Sequence, residues 1–485
     1  MKEKTQGSFT TFNGERYYKI ANYDQMEDFF MTITSSSDIW NFIWSKGGIT
    51  AGRINSDYMI FPYYTADKLS DGKTTTGSFS MLKVTKNGKT YKSEPFASLR
   101  NSILASSLEG NEIKHNLYKN VSGTRVWFEE INEELELAFR IGWTSSAKYG
   151  LVRCTEIQNL SDSPVSVEVL DGCRNILPAH CDRAFIETNS YLLDAYKKSD
   201  LDTEANFGIF TVSSIVSDKA EPNEGLRCNV SWFSTNDTPI LDPEAPAYFV
   251  ADKEIRNIPV LKGKRASFYI DHKVELSAKD TEGSKDSWYQ VFDTFLNHSR
   301  VAELKNTIKD KAAATKDLEK DIADGIALMN KYVSESDGIQ ETSDEMASTH
   351  HYANVMFNIM RGGVFLDAAN ISKADFMEFI NSRNKKEAAG IKALVEKCPS
   401  ENGKIARKEL EKAVYASGNA QAIRLFLEYM PITFSRRHGD PSRPWNRFNI
   451  RLRDENNNPI LNSEGNWRAI FQTWESLSFS YPEDP

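Results

Sequence analysis

Period-two alternation is the feature that most constrains what this chain can fold into. Between Glu134 and Trp143, the residues Leu135, Leu137, Phe139, Ile141 and Trp143 alternate with Glu134, Glu136, Ala138, Arg140 and Gly142. Val165, Val167 and Val169 repeat the pattern, and so does Arg265 to Leu276, where Ala266, Phe268, Ile270, His272, Val274 and Leu276 alternate with more polar residues. Residues two apart share one strand face, so each run reads as a strand with a dry side and a wet side. Turn signals at Asn87-Gly88, Ser161-Asp162-Ser163-Pro164 and Lys262-Gly263-Lys264 separate the runs. With no helical pattern between them, a βαβ sheet is disfavoured and a large antiparallel β-sandwich over residues 1–284 is expected. His272 falls on an apolar position of its strand, and a hydrogen-bonded core or inter-sheet histidine is the expected role rather than a ligand.

The period then changes. Trp288, Val291, Phe292 and Phe295 have helical spacing, and residues 302–332 are rich in Lys, Ala, Asp, Glu and Leu without a proline. A mostly solvated helical linker over residues 285–335 is expected. Residues 336–485 read as helices joined by long polar loops. Val355, Met356, Ile359 and Met360 mark a helix that stops at Arg361-Gly362-Gly363. Ile423, Phe426, Leu427 and Met430 mark another, and Ile470, Trp474, Leu477 and Tyr481 a third. His350 and His351 are adjacent, so on a helix they point apart and make a poor metal pair.

Composition narrows the function. The chain has 485 residues, too many for one ordinary core, and its 26% charged and 40% hydrophobic content is that of a soluble globular protein. A net charge of −9 argues against a general nucleic-acid partner. Five widely spaced cysteines suggest neither a disulfide framework nor a zinc site. No run approaches ~18 apolar residues and no apolar stretch follows Met1-Lys2-Glu3, so no membrane partner and a cytoplasmic location are expected. Walker, GxGxxG, HExxH and GxSxG patterns are absent, so no metal or nucleotide cofactor is expected.

Against this acidic background one late stretch is strongly basic. Arg436, Arg437, His438, Asp440, Arg443, Trp445 and Arg447 are interspersed with Gly and Pro, which reads as a rigid loop displaying charge. Glu464 to Glu475 follows with Trp467, Arg468 and Trp474. Tryptophan stacks on a pyranose face, while Arg and Asp bond its hydroxyls; Arg also binds phosphate as a planar fork. An earlier segment, Gly47-Gly48-Ile49-Thr50-Ala51-Gly52-Arg53 followed by Phe61-Pro62-Tyr63-Tyr64, has two readings of equal weight. One is a loop carrying Arg53 to a ligand; the other is a tight turn between strands with an aromatic core plug.

The order of sandwich, helical linker and helices with Gly-containing polar loops resembles the glycoside phosphorylases of the cellobiose and chitobiose phosphorylase type. Gly47–Arg53 with Phe61–Tyr64, Arg361-Gly362-Gly363, Arg436–Asn446 and Gly465–Glu475 carry the resemblance, which is to a bacterial branch related to that group. It implies a multidomain β + α chain: a supersandwich, the linker, and over residues 336–485 part of an (α/α)6 barrel. It also implies inverting cleavage of a disaccharide or oligosaccharide, by phosphorolysis with inorganic phosphate as co-substrate or by hydrolysis. Arg436, Arg437, His438, Arg443, Trp445, Arg447, Trp467, Arg468, Arg53 and Arg361 would then contact substrate.

Two departures accompany the resemblance. The general acid of such enzymes ends a Gly-Asp-Trp-Asn-Asp motif, whereas this chain reads Gly465-Asn466-Trp467-Arg468-Ala469. Ala469 cannot donate a proton, a step worth roughly 100- to 10,000-fold; Asp440 and Glu475 are the carboxylates that could replace it. A barrel also needs about twelve helices, and residues 336–485 hold about half of them at ordinary lengths. The resemblance therefore implies an N-terminal portion, either a truncated product or one that a second polypeptide completes, with a homo-oligomer as the other partner expected. The rival expectation is a non-catalytic glycan-binding or assembly subunit.

Overall fold

The computed structural model describes residues 4–63, 68–100, 113–182, 185–186, 193–212, 227–367, 370–435, 449–454, 458–461 and 470–482. The chain opens with a hairpin, β1 (Gln6–Phe12) and β2 (Glu15–Ala21). Its turn residues Asn13 and Gly14 have φ of 48° and 78°, the type I′ geometry that Asn-Gly favours. A four-stranded antiparallel sheet follows, made of β3 (Phe30–Met31), β4 (Ile39–Trp44), β5 (Ile49–Arg53) and β6 (Tyr58–Phe61). Next come β7 (Gly77–Lys86), β8 (Lys89–Ser93), a helical turn α1 (Ala97–Arg100), β9 (Ile113–Asn120), β10 (Val126–Asn132), β11 (Leu137–Ser146), β12 (Gly150–Asn159) and β13 (Val165–Ile176). Then follow β14 (Lys197–Asp202), β15 (Phe207–Val212), β16 (Cys228–Phe233), α2 (Ala245–Val250), β17 (Val260–Lys262), β18 (Ala266–Leu276) and β19 (Lys285–Leu296).

Two antiparallel sheets build the sandwich. The larger has eleven strands in the order β1-β2-β9-β10-β11-β12-β19-β16-β15-β14-β17, and the smaller has the order β18-β13-β7-β8. The dry faces expected from the alternation are the faces that meet. Leu137, Phe139, Ile141 and Trp143 of β11 share one core with Val165, Val167 and Val169 of β13 and with Phe268 and Ile270 of β18. Within that core Arg153 and Asp171 form an ion pair with both side chains 0% exposed. Ser80, Thr155 and the Trp288 indole also donate to Asp171. Burial works against the Asp171 charge, but Arg153 and these donors outweigh it and hold the carboxyl below its usual range.

His272 has the expected inter-sheet role. It stands on β18 and bonds Asp237 through Nδ1 at 2.7 Å and Asp286 of β19 through Nε2 at 2.9 Å. Its ring lies 4.7 Å from that of Trp288. Burial opposes the imidazolium, yet the two carboxylates push its pKa up to about 9.

The helical reading of Trp288, Val291, Phe292 and Phe295 fails. Residues 285–296 are β19, hydrogen-bonded between β12 and β16 in the large sheet. A strand covered on both faces loses the clean alternation, so its apolar spacing imitates a helix. Helix begins only at α3 (His298–Ile308), capped by the Asn297 side chain, and continues as α4 (Lys311–Glu335), capped by Asp310. As expected, most of α4 is at least partly solvated, but one stripe of it is buried. Ala314, Leu318 and Ile322 pack on Val152, Trp232 and Val291, covering the outer face of the large sheet.

Beyond the linker come α5 (Glu345–Gly362), β20 (Val364–Phe365), β21 (Asn370–Ser372), α6 (Lys373–Arg383), α7 (Ala388–Lys397), β22 (Lys404–Ala406), α8 (Arg407–Ala416), α9 (Ala420–Glu428), β23 (Ile432–Thr433) and α10 (Ile470–Ser480). The four helices α6 to α9 enclose their own core of Phe376, Ile380, Ile391, Leu410, Leu425 and Phe426. Helix α10 packs on α5. All five cysteines are buried and unpaired. Among the described residues no helix is long and apolar enough to cross a membrane.

Candidate functional site

The glycine-rich early segment is a hairpin, not a loop. Gly47 (φ 99°) and Gly48 turn the chain from β4 into β5. Gly52 is required by close approach, because a Cβ there would lie 2.3 Å from the Tyr58 carbonyl oxygen and 2.7 Å from Trp40. Phe61 is fully buried and packs edge-on against Phe292, so the core-plug reading holds for it; Tyr64 lies outside the described residues. Arg53 nevertheless reaches a cleft, from the last position of β5. Its Nε donates to Asp293 at 2.6 Å, one Nη to Asp38 at 2.7 Å, and the other Nη to the Ala147 carbonyl at 3.1 Å. Burial would lower the Arg53 pKa, but Asp293 and Asp38 together raise it. Burial raises the Asp293 carboxyl, and Arg53 only partly offsets it.

Backbone strain concentrates here. Ile54 has φ 57° and Phe295 φ 64°, the left-handed region that a β-branched or bulky residue rarely enters. The surroundings hold both. Ile54 N–H donates to the Asp38 carbonyl, and its own carbonyl accepts from Ile450 N–H at 2.7 Å. Phe295 N–H donates to the Asn229 side chain at 3.0 Å. Ile450 is buried among Trp40, Phe42 and Met59. The strained turn after Arg53 thus fastens the segment 449–454 beside the sandwich.

Together these parts enclose a cleft of about 530 Å³ at the seam of sandwich and helices. Five cationic side chains line it (Arg53, Lys148, Arg227, Arg300, Arg453), against three carboxylates, Asp38, Asp293 and Asp454. Two of those carboxylates are committed to Arg53. Lys148 pairs with Asp317 and Arg300 with Glu303 at the exposed rim. Among the described residues Arg227 pairs with no carboxylate; its guanidinium lies 5.9 Å from the Phe295 ring centre. His180 accepts from the Arg227 backbone N–H, and burial followed by the Arg227 charge lowers its pKa. Asn297 and Arg300, also in the lining, place the start of α3 at the cleft, where helix-terminal N–H groups add positive potential. The arrangement suits an anion or a polyhydroxylated ligand.

The other residues singled out by the sequence fall as follows. Arg361 is half-buried near the end of α5 and does not line the cleft. Its segment instead turns at Gly363 (φ 83°) into β20, which pairs with β23 through Val364–Thr433 and Phe365–Ile432. That pairing sets Arg361-Gly362-Gly363 beside the root of the late basic stretch. Glu475 is exposed on α10. Arg436, Arg437, His438, Asp440, Arg443, Trp445, Arg447, Trp467, Arg468 and Ala469 lie outside the described residues. Sequence reasoning missed Asp38, Asp293, Arg227, Arg300 and Arg453. Asp293 left a signal, a lone acid within Val291-Phe292-Asp293. Among the described residues no group of three His, Cys, Asp or Glu is placed to hold a metal ion.

The chain is thus a β-sandwich protein with an appended helical region and a cation-rich cleft lined by the sandwich, the start of α3 and residues 453–454. No family model matches it, and no curated protein does. Solved structures similar to it include a bacterial glucoamylase complexed with acarbose, at 8% identity and TM-score 0.38, with 87% of this chain and 60% of that one covered. A human-microbiome protein assigned as a kojibiose phosphorylase is 9% identical with TM-score 0.36, covering 86% and 51%. A family GH92 alpha-mannosidase from Bacteroides thetaiotaomicron is 9% identical with TM-score 0.20, covering 69% and 36%. The chain spans 60% or less of the length of each of them.

Proposed function

We propose that this is a carbohydrate-active protein of glycoside phosphorylase or hydrolase type, acting on a disaccharide or oligosaccharide with inversion. One observation carries the reading: Arg53, from the early glycine-rich segment, and Arg453 and Asp454, just beyond the late basic one, line a single cleft. Its volume lies within the range of small-molecule sites. Arg227, Arg300 and Arg453 supply donors for sugar hydroxyls or for phosphate as co-substrate, while Arg53 is held by its two carboxylates and shapes the floor. Trp445 and Trp467 are assigned to the sugar subsite, and Arg436, Arg437, His438, Arg443, Arg447 and Arg468 to substrate binding. Asp440 or Glu475 takes the proton-donor role that Ala469 cannot fill. Phe357 and Phe479 are exposed at 44% and 69% on α5 and α10, which supports completion by a second polypeptide or another copy.

Ala469 favours a second reading, a glycan-binding subunit without turnover. The test is a disaccharide panel with and without phosphate, read as sugar 1-phosphate, released sugar and calorimetric binding. Turnover lost on Arg227→Ala supports the enzyme. Binding without turnover, with turnover gained in Ala469→Asp, supports a disabled enzyme; binding with no gain supports the second reading. Neither turnover nor binding refutes both.

A further inference from the structure

Sheet edges expose unpaired N–H and C=O groups, and proteins ordinarily blunt them with charge, proline, bulges or brevity. Among the described residues most edges are blunted in that way. At the far end of the large sheet, β17 has three residues, follows Pro259 and ends in Lys262. In the smaller sheet, β8 carries Lys89 and Lys92, and β18 carries Asp271, His272, Lys273 and Glu275. The edge strand β1 has none of these devices. It is seven residues long, Gln-Gly-Ser-Phe-Thr-Thr-Phe, without charge or proline, in a chain that is 26% charged. Its pairing with β2 runs unbroken from Gln6–Ala21 to Phe12–Glu15, with no bulge. Gln6, Gly7, Ser8 and Thr11 are exposed.

The turn geometry says which backbone groups face outward. In a two-residue type I′ hairpin the residues flanking the turn exchange both hydrogen bonds. Phe12 therefore bonds inward to Glu15, and by alternation so do Thr10, Ser8 and Gln6. Gly7, Phe9 and Thr11 direct their N–H and C=O groups away from β2. This set is symmetric about Phe9. A second β1 laid antiparallel across a twofold axis places Phe9 opposite Phe9 and Gly7 opposite Thr11. Three such pairs, each exchanging two bonds, give about six backbone hydrogen bonds. The strand itself brings no charge to the seam; the cation beside it, Arg16, lies 5.6 Å from the Phe9 ring and is paired with Glu345.

We propose that β1 is the dimerisation edge of this protein, joining two eleven-stranded sheets into one continuous sheet through isologous β1–β1 pairing. The seam is separate from the cleft and does not depend on what the cleft binds. Sedimentation velocity of the full chain from ~1 to ~100 µM tests it. The 55.0 kDa chain is expected to sediment as a dimer at the upper concentrations. Thr11→Pro removes an outward N–H while leaving the β1–β2 bonds in place, and Phe9→Lys puts two charges face to face on the axis. Each is expected to weaken association at least tenfold, with the circular dichroism spectrum unchanged. Phe9→Cys is expected to cross-link two chains on mild oxidation. A wild-type chain that stays monomeric throughout overturns the proposal. So does a dimer that survives Phe9→Lys in folded protein.

Discussion

Arg53→Met probes the floor of the cleft most directly. The guanidinium is 14% exposed, and its two carboxylate partners are 12% and 15% exposed. Removing it leaves Asp38 and Asp293 buried without their cation, and breaking a buried pair in this way costs about 3–5 kcal/mol. Two carboxylates ~6 Å apart at an effective dielectric of ~20 repel by roughly 3 kcal/mol, which alone is of that size. The penalty depends on pH, with a definite sign. Burial already raises the Asp293 carboxyl in the native protein, and Arg53 opposes that rise. Without Arg53 the folded-state pKa climbs further above the unfolded value. The folded state then holds that proton more tightly, so the deficit is full at high pH and shrinks as pH falls through the raised pKa. The deficit at pH 5 is therefore expected to be smaller than at pH 7.5. Urea denaturation followed by tryptophan fluorescence, with calorimetry to isolate the sandwich transition, measures it. Asp293→Asn added to Arg53→Met should recover more than half of the loss at pH 7.5. A deficit under ~1 kcal/mol, or one that is flat with pH, refutes the reasoning.

His272 makes stability fall on the alkaline side. Its folded pKa of about 9 stands roughly 2.5 above the ordinary histidine value of 6.5, so its contribution is full below 6.5 and disappears as pH rises through 9. That elevation corresponds to about 3 kcal/mol, reduced to ~1–2 kcal/mol because the site is only half-buried and solvent screens it. Melting temperatures from pH 6 to 10 should show that loss in the wild type and little of it in His272→Gln. Gly363→Ala should loosen the junction of β20 and β23, because the position has φ 83° and a Cβ would sit 2.4 Å from Ile432 Cγ2 and 2.7 Å from the Thr433 oxygen. A cost of about 1–3 kcal/mol is expected, with faster hydrogen exchange at 432–435; unchanged exchange there would show that the junction tolerates a side chain.

What the sequence disclosed follows from the chemistry of each covered face. β11 and β13 alternate legibly because the residues opposite their apolar faces are small or polar; on β11 those residues are buried rather than wet, with Arg140 paired to Glu129 and Glu156. β19 hides itself because Phe292 enters the inter-sheet core while Val291 packs against α4, so both faces are apolar. The site divides in the same way. Arg53 stood out through its glycines, but Asp293 lies 240 residues away and only the closed sheet brings them together. The late basic stretch was the strongest compositional signal, and its flanks explain why composition alone could not place it. On its N-terminal side Ile432–Thr433 is paired to β20 in the helical region, and Phe434, at φ 61°, packs on Tyr332 of α4. On its C-terminal side Ile450 is bonded to Ile54 and buried against the sandwich. The stretch therefore connects the two halves of the molecule. Only tertiary structure sets those two anchor points, and no local pattern encodes them.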